Sequence, residues 1–319
     1  MSICSRRAGL LMFAVVSFVR CCEAGTFPDF AYSPPSGWTG NVFQLSQNYP
    51  TALPAAESVP WKSIDFKTRP QAYLEAVIGY CFEGNIPVEF VGQNNSTRNW
   101  YHAPWLHYGN NGREFVRGLT RERTSRRFEL AATQDMQFAN FAVGFYNPRG
   151  AFTIGQVWQN PAAPDPSLAQ FPEDTVSFKL LFTTATDAKV PYLAGSPEWA
   201  ADIHREPDPA VILQTKVRLL QIDIAVKDSR SLCGGWVFGT FHYDSAVAGA
   251  TPWEKLRPLS LMWGNDPSLT PSDFSAGQKP AESWVNPASP IVVYRSNPPT
   301  GVNPPRVCLL YTSPSPRDS

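Results

Sequence analysis

The chain has 319 residues, of which 43% are apolar and 17% charged, with equal numbers of basic and acidic side chains. That composition supplies a sizeable core and excludes disorder as the dominant state, and a balanced charge gives no global attraction for nucleic acid or anionic membranes. Proline, at 31 residues spread along the chain, is about twice its usual share of roughly 5%, and aromatic residues make up 13%. Both favour short extended elements joined by rigid turns over long helices.

Residues 1–24 read as a signal peptide: Arg6 and Arg7 precede the apolar run "AGLLMFAVVSFV", and a small residue lies at the expected cleavage position before Gly25. The run is too short to span a bilayer comfortably, although an uncleaved anchor is the alternative, and no other segment approaches the ~20 apolar residues of a spanning helix. The expected compartment is therefore secreted or periplasmic, with no integral membrane segment after cleavage. Residues 25–67 are aromatic and Pro-rich without a sustained period, which predicts an irregular wrap over a single β-rich domain at 68–306.

The clearest predicted helix spans 70–83. Pro70 suits its first turn, Leu74, Val77, Ile78 and Cys81 recur at i, i+3, i+4 and i+7, and Gly84 supplies the stop. Asn94-Asn95-Ser96-Thr97 holds two overlapping glycosylation sequons, at Asn94 and Asn95. In "HAPWLH", His102 and His107 stand five apart with Pro104 between them. This breaks the helix that an i, i+4 metal pair requires, and no metal site is expected. Trp100, Trp105 and Tyr108 offer either a ligand platform or ordinary core.

The stretch "GREFVRGLTRERTSRR" carries Arg113, Arg117, Arg121, Arg123, Arg126 and Arg127 against two acids. Guanidiniums without lysine favour planar bidentate partners, either the chain's own carboxylates or a ligand's. "FAVGFYNPRGAFTIGQVW" predicts a hairpin about a type I turn at Asn147–Gly150, with helical spacing as a competing reading at its start. The segment 159–174 is a surface loop. "TVSFKLLFTT" and "LLQIDIAVKD" alternate as strands with one covered face, and Asp223 falls on the polar face. "WVFGTFHYD" pairs with the latter as a hairpin, and its bulky or small alternate positions predict cover on both faces. His242 reads as a packed histidine more readily than a ligand.

The final stretch "CLLYTSPSPRDS" has no period that would direct a face inward, and residues 308–318 resemble a translated adapter from transposase-based sequencing libraries. On that expectation 307–319 are an artefact, the natural C-terminus lies elsewhere, and the mature chain carries a small acidic excess. Cys4, Cys21 and Cys22 leave with the leader and Cys308 with the tail. Cys81 and Cys233 remain, either as a single disulfide or as two buried thiols.

Taken together, "RGLTRERTS", "TIGQVW", "VSFKLLFTTA", "GGWVFGTF" and "LMWGND" resemble a poorly characterised family of exported proteins, often bacterial. Its members run on beyond the last phrase to a Cys-x-x-Cys-His segment for c-type haem. The resemblance implies the globular part of a cytochrome c-like redox protein with an electron-transfer partner. Haem would be held by a segment this chain lacks, His102, His107 or His242 would be axial-ligand candidates, and Arg117, Arg121 and Arg123 would be propionate partners. Cys81 and Cys233 cannot replace the attachment motif, which needs two thiols and an adjacent imidazole. The alternative is a secreted carbohydrate- or small-ligand-binding module without catalysis, with Trp105 in its platform. No nucleophile elbow, phosphate loop or triad spacing supports a hydrolase, and no catalytic residue is assigned. The predicted fold class is mainly β, an antiparallel sandwich or barrel-like domain with one flanking helix.

Overall fold

A computed structural model describes residues 40, 42–104, 119–203, 214–232, 234–270, 272–273 and 276–289. The readings made for the leader, His107, Trp105, Tyr108, Arg113, Arg117, Cys233 and the tail lie outside these residues. Among those described, no helix is long and apolar enough to cross a membrane.

The domain is mainly β and antiparallel. Among the described residues eight strands join one sheet: β1 (Thr120–Ser125), β2 (Phe138–Tyr146), β3 (Val176–Thr183), β4 (Glu198–Asp202), β5 (Gln214–Lys227), β6 (Trp236–Tyr243), β7 (Leu256–Met262) and β8 (Ser283–Val285). Their order is β1-β2-β3-β5-β6-β7-β8, and β4 pairs with the first residues of the long β5. The predicted strands at 175–184, 219–228 and 236–244 are β3, β5 and β6, and β5 and β6 form the expected antiparallel pair.

Side chains alternate across a sheet, so each strand contributes every second residue to each face. One face carries Phe141, Val143, Phe145, Phe178, Leu180, Ile222, Ile224, Val237, Phe241 and Leu261, all buried in the larger core. It is closed by α1 (Pro70–Phe82), through Tyr73, Leu74, Val77, Tyr80 and Cys81, and by Phe43, Leu45, Trp61 and Phe66 of the preceding irregular segment. The helix sits where the apolar spacing predicts. Its approach is close: a Cβ on Gly239 would lie 2.3 Å from Leu74 Cδ2 and 3.0 Å from Ile224 Cγ1, so a side chain there would have to displace Leu74.

Among the described residues, the opposite face carries a second core at one end, and at the other end Phe171 packs edge-on against Trp236 at 5.4 Å. Leu130, Leu181, Val190, Leu193, Leu220, Tyr243 and Leu259 form this second, smaller core beneath the loops 126–136 and 184–197. Bulges fall between Leu181 and Phe182 on the β3–β5 pairing and between Thr240 and Phe241 on β6–β7. Each lets two neighbouring residues face the same side and bends the sheet there.

The structure corrects two expectations. The segment after Asn147 is a helix, α2 (Pro148–Val157), instead of a second hairpin strand. Asn147, Pro148 and Gly150 satisfy a helix start as well as a type I turn. Asn147 Oδ1 accepts from Gly150 N at 3.0 Å as an N-cap, and Ala151 and Ile154 supply the buried helical spacing. The described residues therefore hold two α-helices. Also, β6 is not fully covered on both faces among the described residues, because Phe238, and Trp236 despite its edge-on contact with Phe171, are only half-buried.

Candidate functional site

The uncovered part of the second face is defined by two rows of cross-strand partners. The first runs Gly144, Lys179, Asp223, Thr240, Ser260 across β2, β3, β5, β6 and β7. The second runs Tyr146, Ser177, Ala225, Phe238, Met262, Ser283 and continues onto β8. In the first row only Asp223 and Thr240 are fully buried; every member of the second is half-buried. Small residues at Ser177 and Ala225 lie between the bulky flanks of Tyr146 on one side and Phe238 and Met262 on the other.

The first row is a polar network. Asp223 accepts hydrogen bonds from Gln221 Nε2, at 2.9 and 3.0 Å to its two oxygens, and from Thr240 Oγ1 at 2.8 Å. Lys179 Nζ stands 3.6 Å from Asp223 Oδ2 and 3.5 Å from Glu122 Oε1 of β1, so one ammonium bridges two carboxylates. Burial pulls the Lys179 pKa down, and the charges of Asp223 and Glu122 more than reverse it. Burial raises Asp223 to about 6, against the opposing pull of Lys179, Thr240 and Gln221.

Beyond Thr240 the polar row leads into a cleft of about 320 Å³ lined by Phe238, Ser260, Met262, Asp266, Leu269 and Ser283, among others. Such a volume lies at the small end of ligand sites, roughly 300–1,000 Å³. The cleft's outer wall is fixed by a reciprocal clasp. Asp266 Oδ1 accepts from Ala281 N at 2.6 Å and Glu282 N at 3.0 Å, while Glu282 Oε2 accepts from Asp266 N at 2.8 Å. The mixture of an aromatic ring, a thioether and serine hydroxyls suits a ligand with both apolar and hydroxyl surface.

The residues singled out from sequence do not converge on this cleft. His102 is buried on the opposite face, its Nδ1 3.1 Å from Gly144 O and its Nε2 2.9 Å from Phe43 O. His242 is fully buried, with Nδ1 2.9 Å from Tyr243 O and Nε2 2.9 Å from Ser289 Oγ. A carbonyl only accepts, so His242 Nδ1 carries the proton and Nε2 accepts from the serine. Both nitrogens of each ring thus lie within hydrogen-bond distance of partners inside the fold. Arg123 forms a two-pronged pair with Glu129 at 2.5 and 2.9 Å, so the chain's own carboxylate satisfies it. Arg121 lies beside it on β1. Trp100 belongs to the core, 4.8 Å from Phe178 in an edge-to-face contact, and forms no platform. Cys81 is a buried free thiol, and burial pushes its pKa up. Among the described residues no group of three His, Cys, Asp or Glu side chains could hold a metal ion.

Sequence reasoning placed Asp223 on a polar face but missed its partners. Thr240, Ser260, Phe238 and Met262 become neighbours only through strand order and register, which no local pattern encodes.

Asp223 and His242 make opposite contributions to stability over one pH window. Asp223 has a folded pKa above its ordinary 3.8, so its contribution is complete below 3.8 and is lost as pH rises through about 6. Burial lowers His242 from 6.5 to about 4 despite the nearby Tyr243 carbonyl and Asp244, so stability is lost as pH falls from 6.5 toward 4. Relative to the parent chain, Asp223→Asn is expected to gain stability with rising pH between 4 and 6, and His242→Gln to lose it. The limiting slope for either is about 1.4 kcal/mol per pH unit. Urea midpoints at half-unit pH steps measure both, and parallel profiles for all three chains would refute the assignment.

The fold and this geometry define the class: a mainly β antiparallel domain with one half-open sheet face and a small amphipathic cleft beside a buried carboxylate. Comparison with protein families, with curated proteins and with solved structures finds no match.

Proposed function

We propose that the protein is a non-catalytic binding module that takes a small neutral carbohydrate on the open sheet face. The single observation that carries this reading is the cleft formed by Phe238, Met262 and Leu269 with the hydroxyls of Ser260 and Ser283. Among the described residues, neither hydroxyl is committed to a hydrogen bond within the protein, which leaves both for a ligand's hydroxyls. A sugar ring stacks its C–H surface on an aromatic face and directs its hydroxyls to polar partners at the edge, and Phe238 with the two serines supplies that combination. Among the described residues of the polar row and the cleft wall, the acids Glu122, Asp223, Asp266 and Glu282 outnumber the cation Lys179, which disfavours anionic ligands.

The haem expectation rests on a segment this chain lacks and is a separate reading. For the carbohydrate reading, the test is calorimetric titration of the full chain with a panel of neutral mono- and disaccharides. At least one should bind with a negative heat-capacity change, and Phe238→Ala should weaken that binding at least tenfold while the unfolding transition stays cooperative. Absence of binding by every sugar, or full affinity in the variant, would sink the proposal.

A further inference from the structure

The overlapping sequons at Asn94 and Asn95 look equivalent in sequence, and the threonine two residues on makes Asn95 the better acceptor. Their surroundings differ. Asn95 is locked into the fold: its Nδ2 donates to Glu83 O and to Asn85 Oδ1, both at 2.9 Å. Its Oδ1 accepts from Thr97 N at 2.8 Å and Arg98 N at 2.9 Å. Both amide hydrogens are used, so replacing either by a sugar removes a bond that ties residues 94–98 to the end of α1. Space is lacking as well. Gly84 turns at φ +72°, and a Cβ there would lie 2.1 Å from Asn95 Oδ1, so the amide is packed against bare backbone. Asn94 ends the short 3-10 turn Gly92–Asn94, is exposed, and its side chain makes no hydrogen bond among the described residues.

We infer that Asn94, and not Asn95, is the N-glycan acceptor of this chain in a glycosylating secretory pathway. The host's transferase supplies the co-reactant, a lipid pyrophosphate-linked oligosaccharide. A bond forms between Asn94 Nδ2 and the anomeric carbon, the bond from that carbon to the pyrophosphate oxygen breaks, the lipid pyrophosphate leaves, and Nδ2 gives up one proton. A chain modified at Asn95 instead would lose the lock beside α1 and would not reach the folded, secreted state.

Two variants separate the sites without touching either asparagine. Ser96→Ala destroys the Asn94 sequon and keeps that of Asn95; Thr97→Ala does the reverse and retains the backbone N–H that caps Asn95. The full chain, placed behind an added secretory leader, is expressed in animal cells and recovered from the medium, then read by intact mass and glycopeptide mapping. The parent chain and Thr97→Ala should each carry one glycan, mapped to Asn94, and Ser96→Ala should carry none. A glycan on Asn95 in any secreted chain, or none on the parent, would overturn the inference.

Discussion

Replacing Phe178 with alanine is expected to lower the unfolding free energy of the full chain by about 3–5 kcal/mol, the range for truncating a fully buried aromatic ring. Phe178 is 1% exposed at the centre of the larger core. Its ring stacks on Phe145 with centroids 4.4 Å apart and an interplanar angle of 8°. Trp100 meets it edge-on at 4.8 Å and Phe90 at 6.1 Å. These neighbours come from β2, the 90–100 loops and the sheet itself, so a hole there cannot be closed by moving one side chain. Phe178→Leu should cost clearly less, because most of the volume is kept. Denaturant unfolding of the three chains gives the comparison. Leu168→Ala serves as a control, since Leu168 is 43% exposed and the change should stay within about 0.5 kcal/mol. A loss below about 1 kcal/mol for Phe178→Ala would show that the core is not packed as described.

The second large effect belongs to Asp228, just beyond β5. Its carboxylate takes Arg230 Nε at 2.8 Å on Oδ1, and Arg230 Nη2 at 2.5 Å with Tyr73 Oη at 3.1 Å on Oδ2. Arg230 in turn reaches the irregular N-terminal segment, donating to Lys62 O at 3.1 Å and Ile64 O at 2.9 Å. One buried acid therefore joins the sheet, α1 and the strap that carries Trp61 and Phe66. Asp228→Ala is expected to cost about 3 kcal/mol, at the low end for breaking a buried pair because Arg230 keeps 38% of its side chain in solvent. Amide exchange in residues 60–66 should accelerate more than in β3. Burial alone would raise the Asp228 pKa, but the hydrogen bonds and charge of Arg230 hold it below the ordinary 3.8. A depressed carboxylate stabilises the fold above 3.8 and loses that contribution as pH falls through its folded value. The gap between parent and variant should therefore narrow as pH falls below 3.8. A gap that stays constant there, or unchanged exchange at 60–66, would contradict the role assigned to Asp228.

The two helices show how far local pattern reaches. For α1, Leu74, Val77 and Cys81 place an apolar stripe at helical spacing between Pro70 and Gly84, and the helix follows from propensity, capping and periodicity together. At Asn147–Gly150 the same local residues satisfy two structures. Only the bond from Gly150 N to Asn147 Oδ1, and the burial of Ala151 and Ile154, select the helix.

Sequence by itself determined the mainly β class, the alternation of β3, β5 and β6, the placement of α1, and the assignment of Asp223 to a polar face. Each depends on residues a few positions apart, where periodicity and turn chemistry act directly. Only the tertiary structure decided which strands neighbour one another, and with that the site. Lys179, Asp223, Thr240 and Ser260 lie on four different strands, and they meet because register aligns them on one face. Long-range contact also settled the residues that looked functional. His102 and His242 bond and Trp100 packs inside the core, while Met262 and Phe238, the latter on a strand expected to be covered on both faces, border the cleft. Burial depends on what the rest of the chain lays over a strand: among the described residues the loops 126–136 and 184–197 build the second core at one end of that face, while Phe238 and Met262 stay half-buried.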